Sequence, residues 1–335
     1  MSRAPRHNCS QNCPEGEDGG MTKHVEIGRT GVRLPQIGFG STGLGSIPQI
    51  YGYEVDESRA LDTIRAILQR PDGFIDTARG YALGRSEERI GQVIRELGGW
   101  PEGRVLSTKL DRDMESNRFD ATQARRSLEA SLEALGVDQV DILHLHDPEY
   151  AADLSEVTGT GGALDELFRM KEEGLAKAVG LAGGRIDVLM PMLRDREFDV
   201  LLTHNRHTVV NVNSAPLIEL ARSKGVTVLN AAPYSGGILA KGSSAHHFYV
   251  YQPATEAVLG PVRAVESICS RYDVPLGALA LQFSVKNADI ASTICGATWP
   301  QHVDQTFEWA DWSIPGAVWT ELAELGKSQM DPEAG

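Results

Sequence analysis

Aromatic side chains are scarce, at 6% of 335 residues, and so are cations, with 32 Lys and Arg against 46 Asp and Glu. The resulting formal net charge of −14 argues against nucleic acid or an anionic membrane as a partner, because both require clustered positive charge. No apolar run approaches the ~20 residues of a membrane-spanning helix. The first segment also lacks the apolar stretch of a secretory signal, so a cytoplasmic location is expected. Cysteine is rare too. Cys9 and Cys13 lie in the polar tail HNCSQNCPEGEDGG, and Cys269 and Cys295 lie in helix-like and strand-like surroundings. His7 with the first two has a spacing a metal could use, but the setting reads as an unpaired leader with reduced thiols.

Aliphatic residues and glycine are what the sequence has in quantity, 41% hydrophobic with 35 Gly, which suits one large α/β domain with tight connections. Residues 1–24 read as a disordered tail and residues 25–330 as the folded domain. VEIGRTGVRL reads as a hairpin broken at Thr30–Gly31. Eight short apolar runs follow, at residues 36–40, 73–77, 104–110, 140–146, 176–181, 198–203, 226–230 and 289–296. Amphipathic stretches of helical spacing separate them, such as SRALDTIRAILQR and TQARRSLEASLEAL. Strands apolar on both faces that alternate with helices imply a parallel sheet. Eight such units close into a (β/α)8 TIM barrel, though an open doubly wound sheet shares the alternation. Residues 231–257 read as a functional loop, and two helix-like segments extend the chain beyond the eighth strand.

Gly38-Phe39-Gly40-Ser41-Thr42-Gly43 fits the G-x-G-x-x-G spacing of a dinucleotide fold. That fingerprint must open a helix, and here Leu44-Gly45-Ser46-Ile47-Pro48 follows, so no helix is expected and the segment reads as a ligand-facing loop.

Chemistry in a barrel gathers where strands end in polar residues. Asp76 closes the second strand, Tyr81 lies five residues beyond it, Lys109 closes the third and His146 the fourth. A buried Asp and a buried Lys are costly unless paired. An ammonium beside a phenol is expected to lower its pKa from about 10. Tyr81 is then suited to exchange a proton with a substrate oxygen that His146 orients. Taken singly, each residue has a bland explanation, as a turn, a snorkelling chain or a satisfied His144/His146 pair; together, on three successive strand ends, they form a site. None supplies a hydride, so a cofactor must. The remaining His-rich spots, His204/His207 and His246/His247, lack a carboxylate to complete a metal set, and none is expected.

GFIDTARGYALGRSEERIG, VLSTKL and VDILHLHDP resemble the second, third and fourth strand signatures of the aldo-keto reductases, and the resemblance covers about residues 24–310. It implies that Asp76, Tyr81, Lys109 and His146 are the catalytic tetrad and that the barrel mouth binds NAD(P). Gly40, Ser41 and Thr42 would lie on the first loop, with Asp76, Ala182, Thr203 and Ala231 at strand ends around the nicotinamide. Pro233, Ser235, Gly236, Gly237 and Leu239 in AAPYSGGILA would line the pyrophosphate. Gly296, Ala297, Thr298, Gln301 and Gln305 in CGATWPQHVDQ would meet the adenosine end.

Several positions depart from the family pattern. Gly180-Leu181-Ala182-Gly183 stands for a Ser-Asn pair, Ala231 for a stacking Tyr, and Asp147-Pro148 for Trp-Pro. Gly296 and His302 occupy the places of a Lys and an Arg that hold a 2′-phosphate, and Thr306 that of an Asn. Loss of those cations implies NAD or dual use over strict NADP. With NRHTVVNVNSAPL, these features resemble the aldose dehydrogenase branch, whose members oxidise a sugar lactol at C1 to a lactone. The alternatives are an NADPH-dependent aldehyde or ketone reductase, a pyridoxal dehydrogenase, or a non-catalytic NADP(H)-sensing subunit. A small sugar or aldehyde is the expected partner.

Overall fold

The computed structural model describes residues 24–333. The leader with Cys9 and Cys13 lies outside the described residues. Eight strands, β1 (Ile37–Gly40), β2 (Phe74–Asp76), β3 (Val105–Leu110), β4 (Val140–His146), β5 (Ala176–Gly183), β6 (Val200–His204), β7 (Thr227–Ala231) and β8 (Ser292–Gly296), pair in parallel in sequence order. β8 pairs with both β7 and β1, which closes the sheet and excludes the open alternative. Every residue of β3 is buried, as a strand between an inner core and a helix layer must be.

Side chains alternate between two cores. Phe74, Ile142, Val200, Leu202, Leu229 and Ile294 fill the barrel, and Ile75, Leu143, Leu145 and Leu201 meet the helices. The N-terminal hairpin pairs His24–Glu26 with Arg33–Pro35 and packs Ile27, Val32 and Leu34 onto the inner core, plugging the end opposite the mouth. Its first strand begins at His24, one residue inside the span assigned to the tail.

The helices form where the apolar stripes place them: α1 (Glu57–Gln69), α2 (Arg85–Glu96), α3 (Ala121–Leu135), α4 (Ala163–Glu172), α5 (Ile186–Asp195), α6 (Ala215–Ser223) and α7 (Glu256–Arg271). Asp56 and Asp120 cap α1 and α3 by accepting from the Arg59 and Gln123 amides. α8 (Leu276–Val285) has no amphipathic signal because nearly every face of it is buried. α9 (Pro300–Ala310) and α10 (Gly316–Glu324) complete the C-terminal part.

Two local expectations are corrected. The first loop does turn helically, as one 3-10 turn over Thr42–Gly45 and a short turn over Pro48–Tyr51, but builds no long helix. The described fold also runs past residue 330, as far as Glu333. Ser328 exchanges backbone hydrogen bonds with Val210 and Val212, and Asn211 Nδ2 donates to the Met330 carbonyl. This strap carries Asp331 and Glu333 back to the mouth. Among the described residues, no helix is long and apolar enough to cross a membrane.

Candidate active site

Strand alternation turns Ser107 and Lys109 of β3 and His144 and His146 of β4 inward, so their polar ends converge beside Asp76 at the end of β2. Lys109 Nζ donates to Asp76 Oδ2 at 2.6 Å, to the Thr77 carbonyl at 2.7 Å and to Tyr81 Oη at 3.0 Å. Ser107 Oγ donates to the other Asp76 oxygen at 2.9 Å. Both charged chains are buried, so the pair is held by complementary partners on all sides. His146 meets the Tyr81 ring edge-on, with centroids 5.6 Å apart. Asp76, Tyr81, Lys109 and His146 thus form one cluster. His144 lies one layer below, fully buried and held well below its usual pKa by burial and then by Lys109 and His146; it stays neutral.

The electrostatics correct one expectation. Tyr81 is held well above the ordinary phenol range, first by burial and then by Asp76, with Asp147 and Asp111 adding; a Thr42 hydrogen bond pulls the other way. Burial and the three carboxylates thus outweigh the lowering expected from the Lys109 ammonium. Burial pushes His146 down, but Asp147 and Asp111 outweigh it and raise the imidazole above 6.5. The site therefore rests with a protonated phenol beside an imidazole biased toward its cation.

The cluster opens into a cavity of about 580 Å³. Gly40, Thr42, Ala182, Ala231, Gly236, Gly237, Gly296, Ala297, Thr298 and Gln305 line it together with the tetrad. Small strand-end residues leave a shelf across the mouth from Tyr81, floored by Leu202 and Ile294. Gly236 and Gly237 have φ of +79° and +119°, so their turn needs glycine and brings bare backbone to the cavity wall. Such a cleft fits a dinucleotide.

Other expected contacts do not reach the cavity. Ser41 is buried and accepts from Ser86 Oγ at 2.8 Å. Thr203 is fully buried on the outer face of β6, because Leu202 and His204 take the inward positions. Pro233, Ser235, Leu239 and Gln301 are absent from the lining.

Residues that the sequence reading passed over line it instead. The Lys241 ammonium sits 4.6 Å from the Tyr53 ring centroid and pairs with no carboxylate among the described residues, as suits a cation facing a diphosphate. Asp111 and Asp147 flank His146 at 2.6 and 3.6 Å. Glu333 accepts from the Tyr150 hydroxyl and from Arg206, both at 3.1 Å. Inward alternation of Ser107, Lys109 and Asp111 was a usable signal for Asp111; nothing local marks Glu333. Among the described residues no group of three His, Cys, Asp or Glu is arranged to hold a metal.

A closed parallel barrel with a Tyr-Lys-Asp-His cluster beside a glycine-lined dinucleotide cleft defines an NAD(P)-dependent oxidoreductase of the β/α-barrel class. The chain matches the Aldo/keto reductase family over residues 36–327 and belongs to it. It is 30% identical over 307 residues to L-galactose dehydrogenase of Arabidopsis thaliana, covering 90% of each chain. It is 28% identical to D-threo-aldose 1-dehydrogenase of a Pseudomonas species, covering 88% of this chain and 94% of that one. Pyridoxal 4-dehydrogenase of Microbacterium luteolum is 26% identical, with coverages of 90% and 96%. An aldo-keto reductase from Bacillus halodurans in its holo form superposes with a TM-score of 0.73 at 18% identity, covering 94% and 99%, a likeness of fold. Members of the family use NAD(P)H.

Proposed function

We propose that the protein oxidises the C1 hydroxyl of a free aldose, in its lactol form, to a lactone, with NAD⁺ preferred as acceptor and Asp76, Tyr81, Lys109 and His146 as the catalytic tetrad. The observation that carries this reading is Tyr81 Oη, 3.0 Å from Lys109 Nζ at a mouth whose outer wall holds the hydroxyl acceptors Asp147 and Glu333. Uncharged polyols match such a wall, and the aldose dehydrogenases named above support the same substrate class.

When bound, the oxidised nicotinamide would supply the hydride acceptor for C1. Tyr81 Oη receives the hydroxyl proton, so it must first be phenolate, and Lys109 supports that charge. His146 donates to the same sugar oxygen as negative charge develops there. Gly40, Thr42, Ala182 and Ala231 would bound the nicotinamide end, Gly236, Gly237 and Lys241 the diphosphate, and Gly296, Thr298 and Gln305 the adenosine. Gly296 carries no side chain, His302 is held below its usual pKa by burial and then by Lys241 and Arg59, and Arg59 is committed to the Trp299 ring at 4.4 Å. These features favour NAD over a 2′-phosphorylated dinucleotide. The cytoplasm is the proposed site of action.

The protonated resting state of Tyr81 favours one second reading, reduction of an aldehyde or ketone, since a phenol is the acid that reaction needs. Assay with NAD⁺ and free sugars against NADH or NADPH and aldehydes separates the two: lactone formation supports the first reading, and turnover of aldehydes alone replaces it with the second.

A further inference from the structure

We propose that Asp111 is a positioning residue that ties the His146 and Tyr81 loops together and allows His146 to donate to substrate only as an imidazolium. The proposal rests on the oxidoreductase reading above and concerns a residue outside the tetrad.

Asp111 is the first residue beyond β3. Its Oδ1 stands 2.6 Å from His146 Nδ1, and its Oδ2 accepts the Gly80 amide at 2.6 Å. Gly80 directly precedes Tyr81, so one carboxylate grips both proton-handling loops. The approach is close enough that a Cβ on Gly80 would lie 2.9 Å from Asp111 Oδ1. From behind, the Asp111 amide donates to Ser127 Oγ at 2.9 Å, and Gln123 Nε2 donates to its carbonyl at 3.1 Å. Helix α3 thereby fixes the bracket.

The Asp111 contact fixes which ring nitrogen of His146 carries the proton. A carboxylate only accepts, so His146 Nδ1 must hold a proton. In the neutral ring Nε2 is then a bare lone pair, unable to donate to a substrate oxygen. Only the cation bears a proton there. Asp147 Oδ2, 3.6 Å from Nε2, is too distant to capture that proton in a hydrogen bond yet favours the charge.

Other ionisable groups face the ring from neighbouring elements. Lys109 from β3 opposes the cation, with Asp76 behind it as counter-ion; Tyr81 lies edge-on; His144 on the same strand is neutral. His204 from β6 meets Asp147 at 3.9 Å, and Glu333 stands 3.7 Å from His204. Two adjacent carboxylates against one adjacent ammonium leave the balance with the imidazolium.

The test is nitrogen NMR of the full-length protein labelled with ¹⁵N-histidine, with His146 assigned by its loss in His146→Ala. In the unsubstituted protein Nδ1 should stay protonated at all pH, while Nε2 loses its proton as pH rises. In Asp111→Asn the side-chain oxygen keeps the Gly80 amide, and its NH₂ faces Nδ1. His146 should then adopt the opposite neutral tautomer, protonated on Nε2. Turnover in Asp111→Asn should lie roughly tenfold below the parent, because a neutral imidazole is a weaker donor to the substrate oxygen than the cation. An unchanged tautomer, or an unprotonated Nδ1 in the parent at high pH, overturns the proposal. Should Asp111→Asn fail to fold, Asp147→Asn serves: it should keep the tautomer and lower the His146 pKa, and a changed tautomer or an unmoved pKa overturns the proposal. The tautomer needs no turnover to be read, so this result is independent of which substrate the enzyme takes.

Discussion

Lys109 donates to Asp76 at 2.6 Å, and both side chains are withdrawn from water, 1% and 4% exposed. The pair therefore supports two separable things, the folded barrel and the position of an ammonium under Tyr81. Removing one partner leaves an uncompensated buried charge, at a cost of about 3–5 kcal/mol. Lys109→Met and Asp76→Asn should each lower the urea midpoint accordingly. The double variant should recover much of the stability and none of the turnover. Recovery of turnover would mean that Lys109 is structural only.

Glu333 reaches the mouth on the C-terminal strap, which Arg206 anchors through Asp331 and Glu333. If its carboxylate accepts from substrate hydroxyls, Glu333→Ala should raise KM for the sugar roughly 5- to 30-fold with kcat changed little, the pattern of lost uniform binding. A fall in kcat at constant KM would place Glu333 elsewhere in the mechanism.

Cofactor choice is read by titrating the protein with NAD⁺ and NADP⁺ and following intrinsic fluorescence. NAD⁺ should bind more tightly, and Gly296→Lys should narrow or reverse the difference, since a lysine there offers a 2′-phosphate the missing charge. Tighter NADP⁺ binding by the parent would remove the preference proposed for NAD.

Acid should destabilise the fold through its buried histidines. His207 accepts from Asn287 Nδ2 at 3.1 Å, stacks on Phe283 and is held down to about 4 from 6.5, chiefly by burial. Between those values the unfolded chain binds the proton and the folded chain does not, so stability falls as pH drops through that window, by up to about 3 kcal/mol. The urea midpoint should shift less between pH 7 and pH 5 in His207→Gln than in the parent. Equal shifts would show that the folded protein does not hold His207 below its ordinary value.

Much of this site is legible in the sequence because its tetrad is local in pattern. Asp76, Lys109 and His146 each close an apolar run, and inward alternation brings them together once the barrel closes. Thr203 was misjudged for the same physical reason: on a strand, a one-residue slip moves a side chain to the other face, and Leu202 and His204 hold the inner one. Helix α8 escaped notice because a helix buried all round has no stripe. Lys241 and Glu333 reach the mouth by tertiary contacts far from the tetrad in sequence. The direction of the Tyr81 shift depends first on its burial and then on Asp76, and the extent of that burial is set only by the folded loops.

The proposed role of Tyr81 is to move the proton in an NAD⁺-dependent sugar oxidation. Its most direct test is reduced-nicotinamide absorbance after purified protein is mixed with NAD⁺ and, separately, L-galactose, L-fucose, D-arabinose and pyridoxal, for the parent and Tyr81→Phe. Nicotinamide reduction is expected with at least one free sugar. Tyr81→Phe should lose about 10²- to 10⁴-fold in turnover, with NAD⁺ binding retained. No reduction with any sugar, or equal turnover without the phenol, would contradict that role.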